Sequence, residues 1–202
     1  MIIVGLTGGI GSGKTTIAKW FESQNIPVYI ADKEAKDLMN RSKVIKRKLI
    51  TLFGEPAYEN SKLNREYLAS KIFNDKTLLA KMNAIVHPKV ASHFERWLKK
   101  QNSPYVIKEA AIIFENNLEY QYDYIITVVA DKNLRIERVI QRDNASKEKV
   151  ESIIRNQLSD EEKIKKSDFI IKNNDLEEAK KQAKLIHQTL LKKSKTQDSS
   201  DC

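Results

Sequence analysis

The sequence predicts an α/β protein: a five-stranded parallel sheet in a three-layer arrangement, with a helical insert and a helical lid. Three observations predict it. Short apolar, β-branched runs alternate with helical patterns along the 202 residues. No Asn-Gly or similar turn joins adjacent runs as a hairpin would require. The first run leads straight into a glycine-rich loop and then a helix.

Residues 2–6 (IIVGL) read as a buried parallel strand, followed by the loop and by a helix beginning near Lys14. Val28–Ile30 is the second strand. From about residue 32 to 100 the apolar residues fall at helical spacing (Leu49, Leu52, Phe53; Leu68, Ile72, Phe73; Val86, Val90, Phe94, Trp97) with no strand-like run, which predicts a helical insert. Gly54-Glu55-Pro56 and Asn74-Asp75 break it into pieces, and Asp75 is placed to cap the helix that follows. Tyr105–Lys108, Tyr124–Val129 and Phe169–Ile171 complete the sheet. Residues 142–166 are highly charged, with Ser146 and Ser159 as candidate N-caps. That composition suits a mobile lid over a site, and it suits an ordinary exposed helix pair equally. A last helix covers about 176–191, and residues 194–202 are expected to be a disordered tail. The core of this single domain, 1–193, is then 1–31, 101–141 and 167–193.

Hydrophobic content of 41% and charged content of 31% describe a globular protein without the roughly 18-residue apolar run of a membrane span. MIIVGLTGG lacks the basic leader of a signal peptide. A single cysteine, Cys202, allows no intrachain disulfide, which points to the cytoplasm. The net charge of +9 favours polyanions: nucleotides, coenzymes or nucleic acid. Much of that excess is lysine scattered over helical faces. No helix-turn-helix, zinc-finger or stacked-aromatic pattern appears, so no nucleic-acid partner is expected.

Gly8 to Thr15 (GGIGSGKT) matches G-x-x-x-x-G-K-[ST], after a strand and before a helix, as the mechanism requires. Gly9, Gly11, Ser12 and Gly13 let the backbone curl so that amides point inward, and the helix N-terminus at Lys14, Thr15 and Thr16 adds its positive dipole end. The result is a cage for ATP phosphates. Lys14 would neutralise the β- and γ-phosphate oxygens, and the Thr15 hydroxyl would coordinate Mg²⁺, the only ion expected. Room for one core and an acceptor-binding insert points to a P-loop kinase. Asp32 follows the second strand, where it could accept a proton from an attacking hydroxyl, hold Mg²⁺ through water, or only cap a helix beginning at Lys33.

GLTGGIGSGKTT, PVYIAD, IVHP, IIFEN, RVIQRD and NQLSDEEK resemble, in order and spacing, the dephospho-coenzyme A kinase family. The resemblance spans nearly the whole chain. It implies transfer of the γ-phosphate of ATP to the ribose 3′-hydroxyl of dephospho-CoA, with a P-loop core, a CoA-binding insert and a lid. It makes Asp32 the base, places Arg65 and His87 on the acceptor side and Arg138 and Asn173 on ATP, and matches Arg138 and Arg142 to a lid-entry Arg-x-x-x-Arg pattern and Gln157 to the glutamine after it. Four departures stand out: Ile30 and Lys36 replace an aspartate and an arginine, Ala111 replaces a proline, and the last strand ends Lys172-Asn173-Asn174-Asp175. Arg142 suits an arginine-finger role through its fixed fork. Arg138 has the alternative of pairing with Asp143 or Glu137, Arg65 of pairing with Glu66 or Asp75, and His87, before Pro88, of marking a helix boundary. Two other functions fit the motif: a nucleoside or nucleoside-monophosphate kinase, and a basic P-loop ATPase that binds nucleic acid.

Overall fold

The computed structural model describes residues 1–73 and 75–200. Asn74 and Cys202 lie outside them. The chain forms two compact units, residues 1–30 with 101–202, and residues 31–100.

In the first unit, β1 (Ile2–Thr7), β2 (Val28–Ile30), β5 (Tyr105–Glu109), β6 (Tyr124–Val129) and β7 (Phe169–Lys172) pair in parallel in the order β2-β5-β1-β6-β7. These strands are apolar on both faces because helices cover both, which is why they read as continuous runs. Val4, Leu6, Ile107, Ile126, Val128 and Ile171 form the core with Ile17, Ala18 and Phe21 of α1 (Lys14–Ser23) and Ala179, Ala183, Ile186 and Leu190 of α9 (Leu176–Ser200). Register aligns Leu6 with Glu109 and Ile126, and Glu109 with Ile30, so the carboxyl ends of β1, β2 and β5 lie along one edge. β1 sits where the sheet order reverses, so that edge is the crevice in which open α/β sheets bind ligands. Asp123 and Asp168 hold the opposite ends: their carboxylates accept from the amides of Ile3 and Ile125, each at 2.7 Å.

The second unit contains α2 (Ala31–Arg41), α3 (Lys43–Phe53), β3 (Tyr58–Glu59), β4 (Lys62–Leu63), α4 (Arg65–Ile72) and α5 (Lys76–Leu98). Its core holds Leu38, Ile45, Leu49, Phe53, Leu68, Val86, Val90 and Phe94. Asp75 accepts from the Leu78 amide at 2.8 Å, the expected cap. Two expectations need correction. The insert is not all helix: β3 and β4 form a hairpin about Asn60 and Ser61, whose φ of 47° and 65° make the tight turn that matches strand twist. Asn40 Oδ1 accepts from Leu63 N at 2.9 Å, and the Tyr58 hydroxyl, pushed up to about 12 by burial, donates to the Met39 carbonyl at 2.6 Å. Nor does the chain break at His87-Pro88. Proline costs an interior helix one hydrogen bond, about 3 kcal/mol, but the buried Val86, Val90 and Phe94 keep α5 continuous across it.

In the first unit, α6 (Lys132–Asp143), α7 (Lys147–Arg155) and α8 (Asp160–Lys165) follow β6. Ser146 and Ser159 cap α7 and α8 as expected, the latter in a full capping box with Glu162. Most of 142–166 is exposed or half-buried, but two of its side chains are not. Val150 is completely buried with Ile136 and Val139, and Lys163 is completely buried with its ammonium 2.8 Å from Glu115 Oε1. The tail also differs: α9 runs to Ser200, because 191–200 has no glycine or proline to stop it and Ser194 is buried. Residues 201–202 lie outside the described residues. No helix among those described is long and apolar enough to cross a membrane.

The Tyr105 hydroxyl lies 2.6 Å from His187 Nδ1 on α9, away from the carboxyl edge of the sheet. Burial raises the proton affinity of Tyr105 and lowers that of His187, so both are held neutral and share one hydrogen bond whose direction follows the histidine tautomer. Unfolded histidine titrates near about 6.5, above the folded value. The stabilisation is complete above that pH and is lost as pH falls through the folded pKa. Thermal melts should therefore show Tm falling from pH 7.5 to 5.5. His187→Gln, which keeps an acceptor but does not titrate, should flatten that slope in part, since burial also lowers His87. An unchanged slope in the variant would refute the assignment.

Candidate active site

The glycine-rich loop joins β1 to α1 at the carboxyl edge of the sheet. Gly13 occupies the N-cap of α1 at φ 92°, and a β-carbon there would run into the Asn173 amide, so no other residue fits. With no side-chain cap and no acidic residue in its first turn, α1 keeps its positive end open. The Ser12 amide turns back to the Gly9 carbonyl at 3.2 Å and the Thr16 amide to the Gly13 carbonyl at 3.0 Å. Among the described residues, the amides of Gly11, Gly13 and Thr15 have no acceptor. Lys14 Nζ folds over the loop, donating to the carbonyls of Gly8 at 2.8 Å and Gly9 at 3.4 Å. A cluster of unspent amides beside an ammonium can hold a polyphosphate.

Thr15 and Thr16 are exposed in the first turn of α1. The Thr15 hydroxyl bonds to no other described residue and offers one hard oxygen. No group of three or more His, Cys, Asp or Glu able to hold an ion occurs among the described residues. Such a donor set fits Mg²⁺, which takes most of its ligands from water and substrate phosphates.

Asn173, just past β7, is buried; its amide nitrogen donates to the Ser12 carbonyl at 2.7 Å and its Oδ1 has no partner among the described residues. It supports the loop. On α6, Arg138 and Arg142 follow Arg135 by three and seven residues, so all three share a helix face. Arg138 Nη1 is buried without a partner among the described residues. It is Arg142, rather than Arg138, that pairs with Asp143, in a two-bond fork at 2.7 Å each, which raises its own pKa and lowers that of Asp143.

Sequence reasoning missed Arg135, which is 5% exposed, donates Nε to the Ile10 carbonyl at 2.9 Å and pairs Nη1 with Asp160 at 2.7 Å. It also passed over Glu115, which accepts from the Leu158 amide at 3.1 Å and holds Lys163. The family-like Gln157 accepts from the Ile10 amide at 2.9 Å. Charge alone conceals such residues, because a buried arginine or lysine looks the same in sequence as a solvated one.

In the second unit, Asp32 lies within the first turn of α2, which begins at Ala31, so it does not cap a helix starting at Lys33. His87, on α5, is pushed below its usual value by burial, and the charge of Asp32 partly opposes that shift, so the two groups feel each other. Arg65 is exposed at the start of α4 and forms no ion pair with Glu66 or Asp75. With Glu59, Lys62, Asn64 and Glu66 it lines a polar cavity of about 550 Å³ beside the hairpin.

A family model described as dephospho-CoA kinase matches residues 2–178. Among curated relatives, dephospho-CoA kinase from Bacteroides fragilis is 40% identical over 174 residues, covering 86% of this chain and 85% of that protein. The Fusobacterium nucleatum dephospho-CoA kinase is 37% identical over 175 residues, covering 86% and 90%. A Thermus thermophilus crystal structure superposes with TM-score 0.86 at 31% identity, over 93% of this chain and 96% of that one. Shikimate kinase from Bacteroides thetaiotaomicron, at 15% identity and TM-score 0.54 over 94% and 98%, shares the fold alone.

Proposed function

Since the chain belongs to the dephospho-CoA kinase family, we propose that it transfers the γ-phosphoryl group of ATP to the ribose 3′-hydroxyl of dephospho-CoA, giving CoA and ADP, the last step of CoA synthesis. The observation that carries this reading is the loop of unspent amides under the Lys14 ammonium, inside a chain matching the family over residues 2–178.

The loop and Lys14 bind the β- and γ-phosphates; the Thr15 hydroxyl would hold Mg²⁺, which would supply neutralisation of phosphate charge. Asp32 accepts the proton of the 3′-hydroxyl as its oxygen forms the new bond to the γ-phosphorus, while the bond to the bridging oxygen breaks and ADP departs. The position supports this role: β2 ends on the loop's edge of the sheet and Asp32 follows its last residue by two. Arg142, released from Asp143, and Arg138 neutralise charge on the transferring group. Asn173 acts on ATP through Ser12 and Gly13, while Gly9 and Gly11 let the loop pass close to the phosphates. Arg65 and His87 contact the acceptor, with Arg65 suited to its anionic part. A cytoplasmic setting, free of nucleic acid and membrane, fits this metabolic step.

An acceptor panel with MgATP tests the reading. Dephospho-CoA should support ADP release at least about 10²-fold faster in kcat/KM than adenosine, AMP or other nucleosides, a ratio that loss of polar contacts to the missing half of the acceptor can supply. Preference for a nucleoside or nucleotide acceptor would transfer the assignment to the sister kinases.

A further inference from the structure

Ile10, at the tip of the loop, is gripped on both sides. Its carbonyl accepts from Arg135 Nε at 2.9 Å and its amide donates to Gln157 Oε1 at 2.9 Å. Arg135 is the only buried arginine among the described residues, and Asp160 Oδ2 answers its charge at 2.7 Å. Its guanidinium fills the space that a β-carbon on Gly9 would need, and its backbone fills the space required at Gly11. Two of the motif's glycines are thus shaped around this one residue.

The peptide bonds here are trans, so each N–H points opposite to the C=O of its own peptide unit. Drawing the Ile10 carbonyl to Arg135 therefore turns the Gly11 amide, which has no acceptor among the described residues, away from Arg135. Drawing the Ile10 amide to Gln157 turns the Gly9 carbonyl away from Gln157, where the Ser12 amide and Lys14 Nζ meet it. Both consequences orient the groups that face an anion.

We infer that Arg135 is a positioning residue for ATP: with Gln157 and Asp160 it clamps Ile10 and aims the Gly11 amide at the phosphates. This deepens the reading of the loop given above and rests on it. Only a guanidinium can serve, because Nε and Nη1 reach two acceptors in different directions at once; an ammonium holds one or the other. The clamp also joins the start of α8 to the loop, so a segment far along the chain sets the loop's shape.

Calorimetric titration of MgATP and, separately, of dephospho-CoA into Arg135→Gln, Arg135→Lys and Asp160→Asn tests this. Arg135→Gln should weaken MgATP by about 10- to 100-fold, the range for losing a buried charge-assisted bond. Arg135→Lys should rescue little of it. Asp160→Asn should cost about 3- to 10-fold, and the double variant should be no worse than Arg135→Gln alone, because both changes strike one clamp. Dephospho-CoA affinity should stay within about twofold throughout, a split that general loss of structure would not produce. MgATP affinity unchanged in Arg135→Gln, or both ligands weakening together with a fall in Tm, would overturn the inference. Should Arg135→Gln fail to fold, unchanged MgATP affinity in Asp160→Asn does the same. Because MgATP binding is read without the acceptor, a wild-type protein that makes no CoA would sink the proposed reaction and leave this test standing.

Discussion

Asp32→Asn should lower kcat for CoA formation by about 10³-fold, within the span attributed to a general base, while MgATP affinity stays within about twofold. Asparagine preserves the shape and can accept a hydrogen bond from the 3′-hydroxyl, but it cannot take the proton, so orientation survives and chemistry does not. The fold should tolerate the change. Asp32 lies in the first turn of α2, where its charge complements the helix dipole, so its loss costs about 0.5 kcal/mol. A second readout is local: the Asp32 charge raises the proton affinity of His87, so the variant should show His87 titrating lower still by NMR. Near-normal turnover would show that another group takes the proton.

Lys14→Met should reduce kcat by about 10²- to 10³-fold, the cost of deleting one preorganised charge stabiliser, and should also weaken MgATP. Methionine matches the stem of lysine but carries no charge. The ammonium already reaches over the loop to the Gly8 and Gly9 carbonyls, so its loss also removes a tie across the turn. Steady-state kinetics should show both kcat and the ATP KM affected, whereas the Arg135 variants change ATP affinity chiefly. Lys14→Met retaining kcat within about tenfold would leave the phosphates without their assumed counter-charge.

What sequence reveals of this fold follows the range of the interactions that make it. The strands of the sheet are continuous apolar runs because burial on two faces demands it, and the loop is legible because its glycines, lysine and threonine stand in one local pattern. Caps such as Asp75, Ser146 and Ser159 are local too, each bonding an amide three residues on. The hairpin is harder to see: Tyr58–Glu59 and Lys62–Leu63 are too short to alternate visibly, and Asn60-Ser61 is a weaker turn signal than Asn-Gly. Pro88 misleads because packing of Val86, Val90 and Phe94 outweighs a local penalty.

The candidate site divides in the same way. Gly9 through Thr16 announce themselves, whereas Arg135 looks like any polar position in NLRIERVIQRD until the fold brings it against Ile10, 125 residues earlier. Lys163 and Glu115 are concealed likewise, their pairing depending on a segment 48 residues away being brought alongside. Asn173 could be noticed only as the residue after the last strand; its hold on Ser12 spans 161 residues.

One measurement tests the central claim most directly: incubating the protein with γ-phosphoryl-labelled ATP, Mg²⁺ and dephospho-CoA, and locating the label in the product by mass spectrometry and ³¹P NMR. Direct transfer predicts one labelled phosphomonoester per ADP formed, on the ribose 3′-oxygen of CoA. Label recovered as free phosphate, or on any other oxygen of the acceptor, would contradict it.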